Sequence, residues 1–168
     1  MSRAPQKNKP EEIFRILEND ARVIPEDIST MTGVPLTEVR KTIQTAEEDG
    51  TIVKYKTMVD WDRIGIEQVW ALIEVRVKPE REVGFHRIAE RICRFPEARS
   101  VYLLSGTYDI AVITVCKTMQ EVSEFASQKL ATLDNVEGTV THFMLKRYKQ
   151  DGELLDGTSK SKRLPLTL

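Results

Sequence analysis

The sequence predicts an α+β protein in two parts, a three-helix unit followed by a larger βαββαβ unit. Apolar residues recur at helical spacing through the first 50 positions, with Gly or Pro at the junctions. From Val69 onward, runs of strict alternation take turns with helical stripes. The 168 residues suffice for one ordinary domain or two small ones.

In the first part, Asn8-Lys9-Pro10-Glu11 is a helix start, a capping side chain followed by a proline in the first turn. Ile13, Phe14, Ile16 and Leu17 follow at helical spacing. Pro25-Glu26-Asp27-Ile28 opens a second helix, with acids near its positive end, and Gly33 stops it after Thr32. A third helix covers Leu36 to Asp49, with Val39, Ile43 and Ala46 inward, and Gly50 ends it. Thr51 to Val59 alternates weakly and predicts a small β-hairpin. That order is a winged helix-turn-helix, in which the second helix braces the third so that its polar face can enter a major groove. The exposed face carries Thr37, Glu38, Arg40, Lys41 and Gln44, and the hairpin adds Lys54, Tyr55 and Lys56. The same pattern also fits any three-helix unit with solvated charges.

Residues 61–68, broken by Asp62 and Gly65, read as a linker between segment 1–60 and segment 69–150. Val69 to Val77 alternates as a strand, with Ala71, Ile73, Val75 and Val77 on one face, and Pro79 closes it. Phe85, Ile88, Ala89 and Ile92 form a helical stripe ended by Phe95-Pro96. Ala98 to Leu104 and Tyr108 to Cys116 are the next two strands. Thr118 and Glu121 form a capping box. The helix after it is lined by Val122, Phe125, Ala126, Leu130 and Leu133, and Val136 to Tyr148 is a long fourth strand. The order βαββαβ is the ferredoxin-like split-βαβ sandwich, with two helices on one face of an antiparallel sheet. The other face holds Trp70, Leu72, Tyr102 and Leu104, and an apolar face of that size points to a second copy of the chain stacked on it.

Composition narrows the function. Residues 1–62 hold nine Lys/Arg against twelve Asp/Glu, and residues 63–150 hold thirteen against eleven. A DNA reader is usually basic overall, so binding here depends on local clustering. No apolar run approaches the roughly 20 residues that cross a bilayer, and the start, Met1-Ser2-Arg3-Ala4-Pro5, lacks a signal-peptide core. Cytoplasmic residence is the expectation, with no membrane partner. Cys93 and Cys116 are read as buried, reduced thiols, and His86 and His142 as surface or satisfied histidines. There is no nucleophile elbow, phosphate loop, HExxH or paired-cysteine motif. No catalytic residue, metal ligand or cofactor is therefore expected.

The stretch Leu103 to Val112 stands apart. Polar residues crowd into one reversal, Ser105-Gly106-Thr107, with Tyr108 and Asp109 directly after it. Glycine suits a turn that needs positive φ, and a carboxylate beside it can receive an amino group. The turn is a candidate small-ligand pocket. Asp109 equally fits a turn residue that caps the hairpin or pairs with an arginine.

Several motifs together resemble the Lrp/AsnC family of leucine- and asparagine-responsive regulators, over roughly residues 10 to 150. They are Ile16-Leu17 with Asp20-Ala21-Arg22, Gly50 to Tyr55, the Asp60 and Gly65 linker, Gly106-Thr107-Tyr108-Asp109, and Thr139 to Met144. The resemblance implies a DNA-binding transcription regulator, a homodimer that often assembles further, commonly into octamers, with an amino-acid effector bound between ligand-sensing domains. By position it implies that Gly106, Tyr108 and Asp109 form the pocket mouth. Thr139 and Thr141 would approach from a neighbouring subunit. Thr37, Arg40, Lys41 and Gln44 would face double-stranded DNA, with Lys54 and Lys56 on phosphates. Pro35 departs from the family's serine cap, because proline opens a helix without offering a capping oxygen. An oligomeric regulator or scaffold without direct DNA contact is the alternative. The tail, residues 151–168, carries Lys160-Ser161-Lys162-Arg163, which fits a solvated arm or a DNA contact.

Overall fold

A computed structural model describes residues 9–78 and 84–155. The Asn8 cap, the Pro79 strand stop and the Lys160–Arg163 cluster lie outside these residues. The chain divides into two compact units, Met1–Val59 and Asp60–Leu168.

In the first unit, α1 (Lys9–Asn19), α2 (Pro25–Thr32) and α3 (Leu36–Glu48) pack Ile13, Leu17, Ile28, Val34 and Val39 into a small core. Ile16, Val23, Ile43 and Ile52 close its edges. The Asp20 carboxylate turns the chain after α1 by accepting the Arg22 backbone N–H at 3.0 Å and the Arg22 guanidinium at 2.8 Å. Those two bonds draw its pKa down to about 2. Gly33, at φ 68°, ends α2 in the left-handed region that glycine adopts without strain. Pro35 precedes α3 in an extended conformation with no side-chain cap, and its carbonyl accepts the N–H groups of Glu38 and Val39.

The expected hairpin over Thr51 to Val59 does not form, and these residues hold no paired strand. Only Ile52 reaches the core, whereas Val53 is 90% exposed. A lone two-stranded ribbon without an apolar face to bury is marginal in water. The segment is instead held near α3 by Tyr55, whose hydroxyl donates to Glu47 Oε1 at 2.8 Å.

The second unit opens with a 3-10 turn, Asp62–Ile64, and continues as β1 (Val69–Val77), α4 (His86–Cys93), β2 (Ala98–Leu103), β3 (Ile110–Cys116), α5 (Met119–Glu124) and β4 (Val136–Phe143). The strands pair antiparallel in the order β2-β3-β1-β4. This is the split-βαβ arrangement, with β1 and β3 at the centre. Ala71, Ile73, Val75 and Val77 point inward as their alternation predicts, against Ile88 and Ile92 of α4 and Val122 of α5. Beyond Glu124 the helix widens into a π-helical segment, Phe125–Leu130, with the Ala131 N–H reaching Ala126 O at 2.9 Å. The wider turn keeps Phe125, Ala126 and Leu130 on the buried side.

Three sequence expectations are corrected here. The fourth strand ends at Phe143 rather than Tyr148, and residues 149–150 and 153–154 form a short hairpin of their own, β5 and β6. Between β4 and this hairpin, Arg147 folds over Trp70, its guanidinium carbon 4.3 Å from the ring centroid. Trp70 is thereby buried by its own chain, and the open apolar face shrinks to a patch that includes Tyr102, Leu104 and Val140. Finally, Cys93 is exposed, because its position at the last turn of α4 faces away from the stripe of Ile88 and Ile92; Cys116 is buried.

Candidate DNA-reading helix and effector turn

Along α3, Val39 and Ala46 are buried and Ile43 partly so, which fixes the opposite face toward water. Thr37, Arg40, Lys41 and Gln44 are all exposed and share one stripe of that face, as residues three and four apart must. Their partners were not visible in the sequence. Arg40 is ion-paired with Glu26, from the first turn of α2, and Gln44 donates to Glu48 at 2.8 Å. Glu26 sits at a helix start, where its own backbone N–H and then Arg40 lower its pKa. The positive charge of Arg40 is thus partly neutralised by the neighbouring helix. Lys54 and Lys56 are exposed on the extended segment, on either side of the Tyr55 that ties it to Glu47. Burial raises the pKa of that phenol, and the bond to Glu47 adds to the effect.

At the candidate effector turn, the loop from Leu104 to Asp109 is closed by the Leu104 N–H donating to Asp109 O at 2.8 Å. The loop is wide, so Gly106 does not need positive φ and does not adopt it, contrary to the sequence reading; a Cβ there would meet nothing within 4 Å. Asp109 is half-buried and extends the ladder by other means. Its N–H donates to Val75 O at 3.2 Å, and its Oδ2 accepts the Val77 N–H at 2.8 Å. The carboxylate stands in for the β3 residue that would otherwise pair there, which is why β3 starts at Ile110 rather than Tyr108. The Tyr108 ring lies 5.5 Å from the guanidinium carbon of Arg76.

Thr139 and Thr141 sit opposite Val75 and Ile73 in the β1–β4 register and so share their helix-covered side of the sheet. Arg76, beneath Tyr108, alternates to the other side. Within one chain, therefore, Tyr108 and Asp109 come together at a strand end, and the two threonines do not join them on one face.

Comparison with known proteins fits this architecture. The sequence model of the Lrp/AsnC ligand binding domain matches residues 70–154. An uncharacterized HTH-type transcriptional regulator of Bacillus subtilis (strain 168), YugG, is 45% identical over 157 residues, covering 93% of this chain and 95% of the relative. The chain belongs to the Lrp/AsnC family. As an Lrp/AsnC protein it is an HTH-type transcription regulator with a ligand-binding domain, not an enzyme. The HTH-type transcriptional regulator FL11 of Pyrococcus horikoshii is 30% identical to it, covering 90% of this chain and 97% of FL11. Among solved structures, the complex of the Neisseria meningitidis transcriptional regulator NMB0573 with L-Met superposes with a TM-score of 0.69 at 18% identity, covering 86% of this chain and 92% of that one. What the Lrp/AsnC chain shares with that complex is the fold. None of its described helices is long and apolar enough to cross a membrane.

Proposed function

We propose that this Lrp/AsnC regulator reads double-stranded DNA sequence-specifically through α3 and that a small ligand, an amino acid, changes its assembly and its DNA affinity. The observation that carries the DNA reading is the single exposed stripe of Thr37, Arg40, Lys41 and Gln44 on the helix that α2 braces. Arg40, Lys41 and Gln44 have the chemistry for base edges and phosphates, and Lys54 and Lys56 for phosphates. For the ligand, the support is the match to a ligand-binding domain together with the L-Met held by the Neisseria regulator. Gly106, Tyr108 and Asp109 form the proposed pocket mouth, with Thr139 and Thr141 contributed by a neighbouring copy. The Asp109 carboxylate would receive an ammonium group while still holding Val77. A homodimer formed on the open sheet face, which an octamer extends, sets two reading heads apart and favours a roughly palindromic operator. The protein acts in the cytoplasm, without a membrane partner. A ligand shifts such an assembly only by the difference in its affinity between the assembly states.

Fluorescence anisotropy against its own upstream DNA, across a salt series, tests the first half. Replacing Arg40 and Lys41 by alanine should weaken binding and lower the salt slope by about 0.9 for each phosphate no longer neutralised, with sedimentation unchanged. Absence of specific binding by the intact chain would favour an oligomeric regulator or scaffold that does not touch DNA. The acidic balance of residues 1–62 and the Glu26–Arg40 pair are the features that favour that second reading. Oligomer size measured with and without each L-amino acid tests the second half, and no change across all of them would defeat the ligand switch.

A further inference from the structure

The sheet face turned away from the helices carries a glutamate–histidine pair in an apolar setting. By register and alternation, Leu72, Ile113, Val115, Tyr102 and Val140 share that face. Glu74 lies among them on β1, an inner strand, opposite Ala111 of β3 on one side and Val140 of β4 on the other. His142, two residues along β4 from Val140, stands opposite Leu72, and its Nε2 is 3.2 Å from Glu74 Oε2. The Glu74 side chain is 24% exposed and that of His142 53%. The carboxylate has thus given up much of its water on a single chain, and the imidazole beside it is its hydrogen-bond partner among the described residues.

The other charged and titratable groups of the face sit toward its margins among the described residues. From β1, Arg76 has its guanidinium carbon 5.5 Å from the Tyr108 ring at the strand end. Arg147 stacks on Trp70 at the other end of β1. From β2 comes the Tyr102 phenol, while β3 brings the apolar Ala111, Ile113 and Val115. Arg99 and Glu137 lie at the register shifts of β2 and β4. When a second copy stacks on this face, water leaves both members of the central pair. A neutral imidazole can still donate one hydrogen bond, but the carboxylate charge then stays uncompensated in a dry interface, which is costly. An imidazolium cancels that charge and strengthens the bond. In a two-fold dimer each copy brings the same pair, so the effect counts twice.

We infer that a second copy of this chain stacks on the face with His142 protonated against Glu74, so that dimer formation takes up protons and responds to pH. This rests on the sheet-face dimer proposed above and adds the residues that make it pH-sensitive. The dimer holds these protons more tightly than the free chains do, so the dimer gains as pH falls and weakens as pH rises. The change falls in the range where histidine ordinarily titrates, about pH 5 to 8. Each histidine shifts the dimer Kd by up to about tenfold per pH unit, and the two of a dimer together by up to about a hundredfold.

Cys93 provides the label. It is exposed on α4, whose inward stripe packs on the opposite side of the sheet, and Cys116 is buried. Full-length chains carrying a donor or an acceptor dye at Cys93 are mixed and diluted, and energy transfer gives the dimer Kd across about pH 5.5 to 8. Kd should tighten at least about tenfold from the alkaline to the acid end. Glu74→Gln removes the charge that calls for a cation. Its dimer should be tighter than the original at the alkaline end and gain nothing on acidification. His142→Gln keeps a donor without a charge, and its dimer should stay weak throughout. His86→Gln alters the other histidine, which pairs with Glu90 on α4 at 3.3 Å, and should keep the original slope. Far-ultraviolet dichroism checks that each variant is folded. A dimer whose Kd is flat with pH, or whose slope survives His142→Gln, overturns the proposal and leaves the dimer itself standing. Monomers at every pH overturn both.

Discussion

Asp109 has a structural duty in this molecule beside the binding duty proposed for it. Its carboxylate satisfies the Val77 N–H, so Asp109→Ala should cost about 1–2 kcal/mol in urea unfolding with no ligand present. Asp109→Asn keeps an acceptor and should fold nearly as well, while losing affinity for an ammonium-bearing effector in calorimetry. The difference between the two variants separates the structural duty from the proposed binding duty. Asp20 gives a pH-dependent counterpart. Its folded pKa is depressed to about 2 from an ordinary 3.8, chiefly by the bonds from Arg22. Its contribution is therefore complete above the ordinary value and fades as pH falls toward 2. A carboxyl NMR titration should show that low midpoint, and Arg22→Gln should return it toward 3.8. Glu26 pairs with Arg40 on the proposed reading helix. Glu26→Gln removes an acid beside Arg40 and should raise DNA affinity several-fold at low salt, with the gain shrinking as salt screens it. Stability should change little, since the pair is exposed. Glu26 and Arg40 are 14 residues apart, and their pairing depends on how α2 crosses α3, which no local pattern encodes.

At the scale of elements, periodicity was the main guide. The inward faces of β1 and α3 and the stripe of Ile88 and Ile92 on α4 were legible because alternation and helical spacing are set by burial itself. Caps were legible too. Thr118 accepts the Glu121 N–H at 3.1 Å, and Glu121 reaches back to the Lys117 N–H at 2.9 Å, one residue earlier than an ordinary capping box. Thr118→Ala should therefore cost about 1 kcal/mol in thermal or urea unfolding. Where elements failed to follow their pattern, something nonlocal intervened. Thr51 to Val59 has weak alternation but nothing to bury, so it stays unpaired. Met144 to Tyr148 leaves the sheet because the Arg147 guanidinium gains an aromatic face and the Gln150 acceptor by folding back over Trp70.

For the whole molecule, the proposed dimer rests on the open sheet face. Tyr102 and Val140 stand exposed there, 55% and 39%, with the half-buried Leu72 between their strands. Val140→Asp places a charge on a face that would have to dehydrate on stacking. Sedimentation at micromolar concentration should then show monomers in place of dimers, with the far-ultraviolet dichroism of the fold retained. The sequence by itself determined the order of the three helices and of the βαββαβ elements, the two-part organisation and the core faces, because these rest on spacing along the chain, while its motifs carried the resemblance to the family. Only the tertiary structure decided which face Trp70 shares with Arg147, that Asp109 completes a strand ladder, and that Glu26 holds Arg40. Those contacts join residues far apart in sequence, and their energies depend on geometry and desolvation that no periodic pattern records.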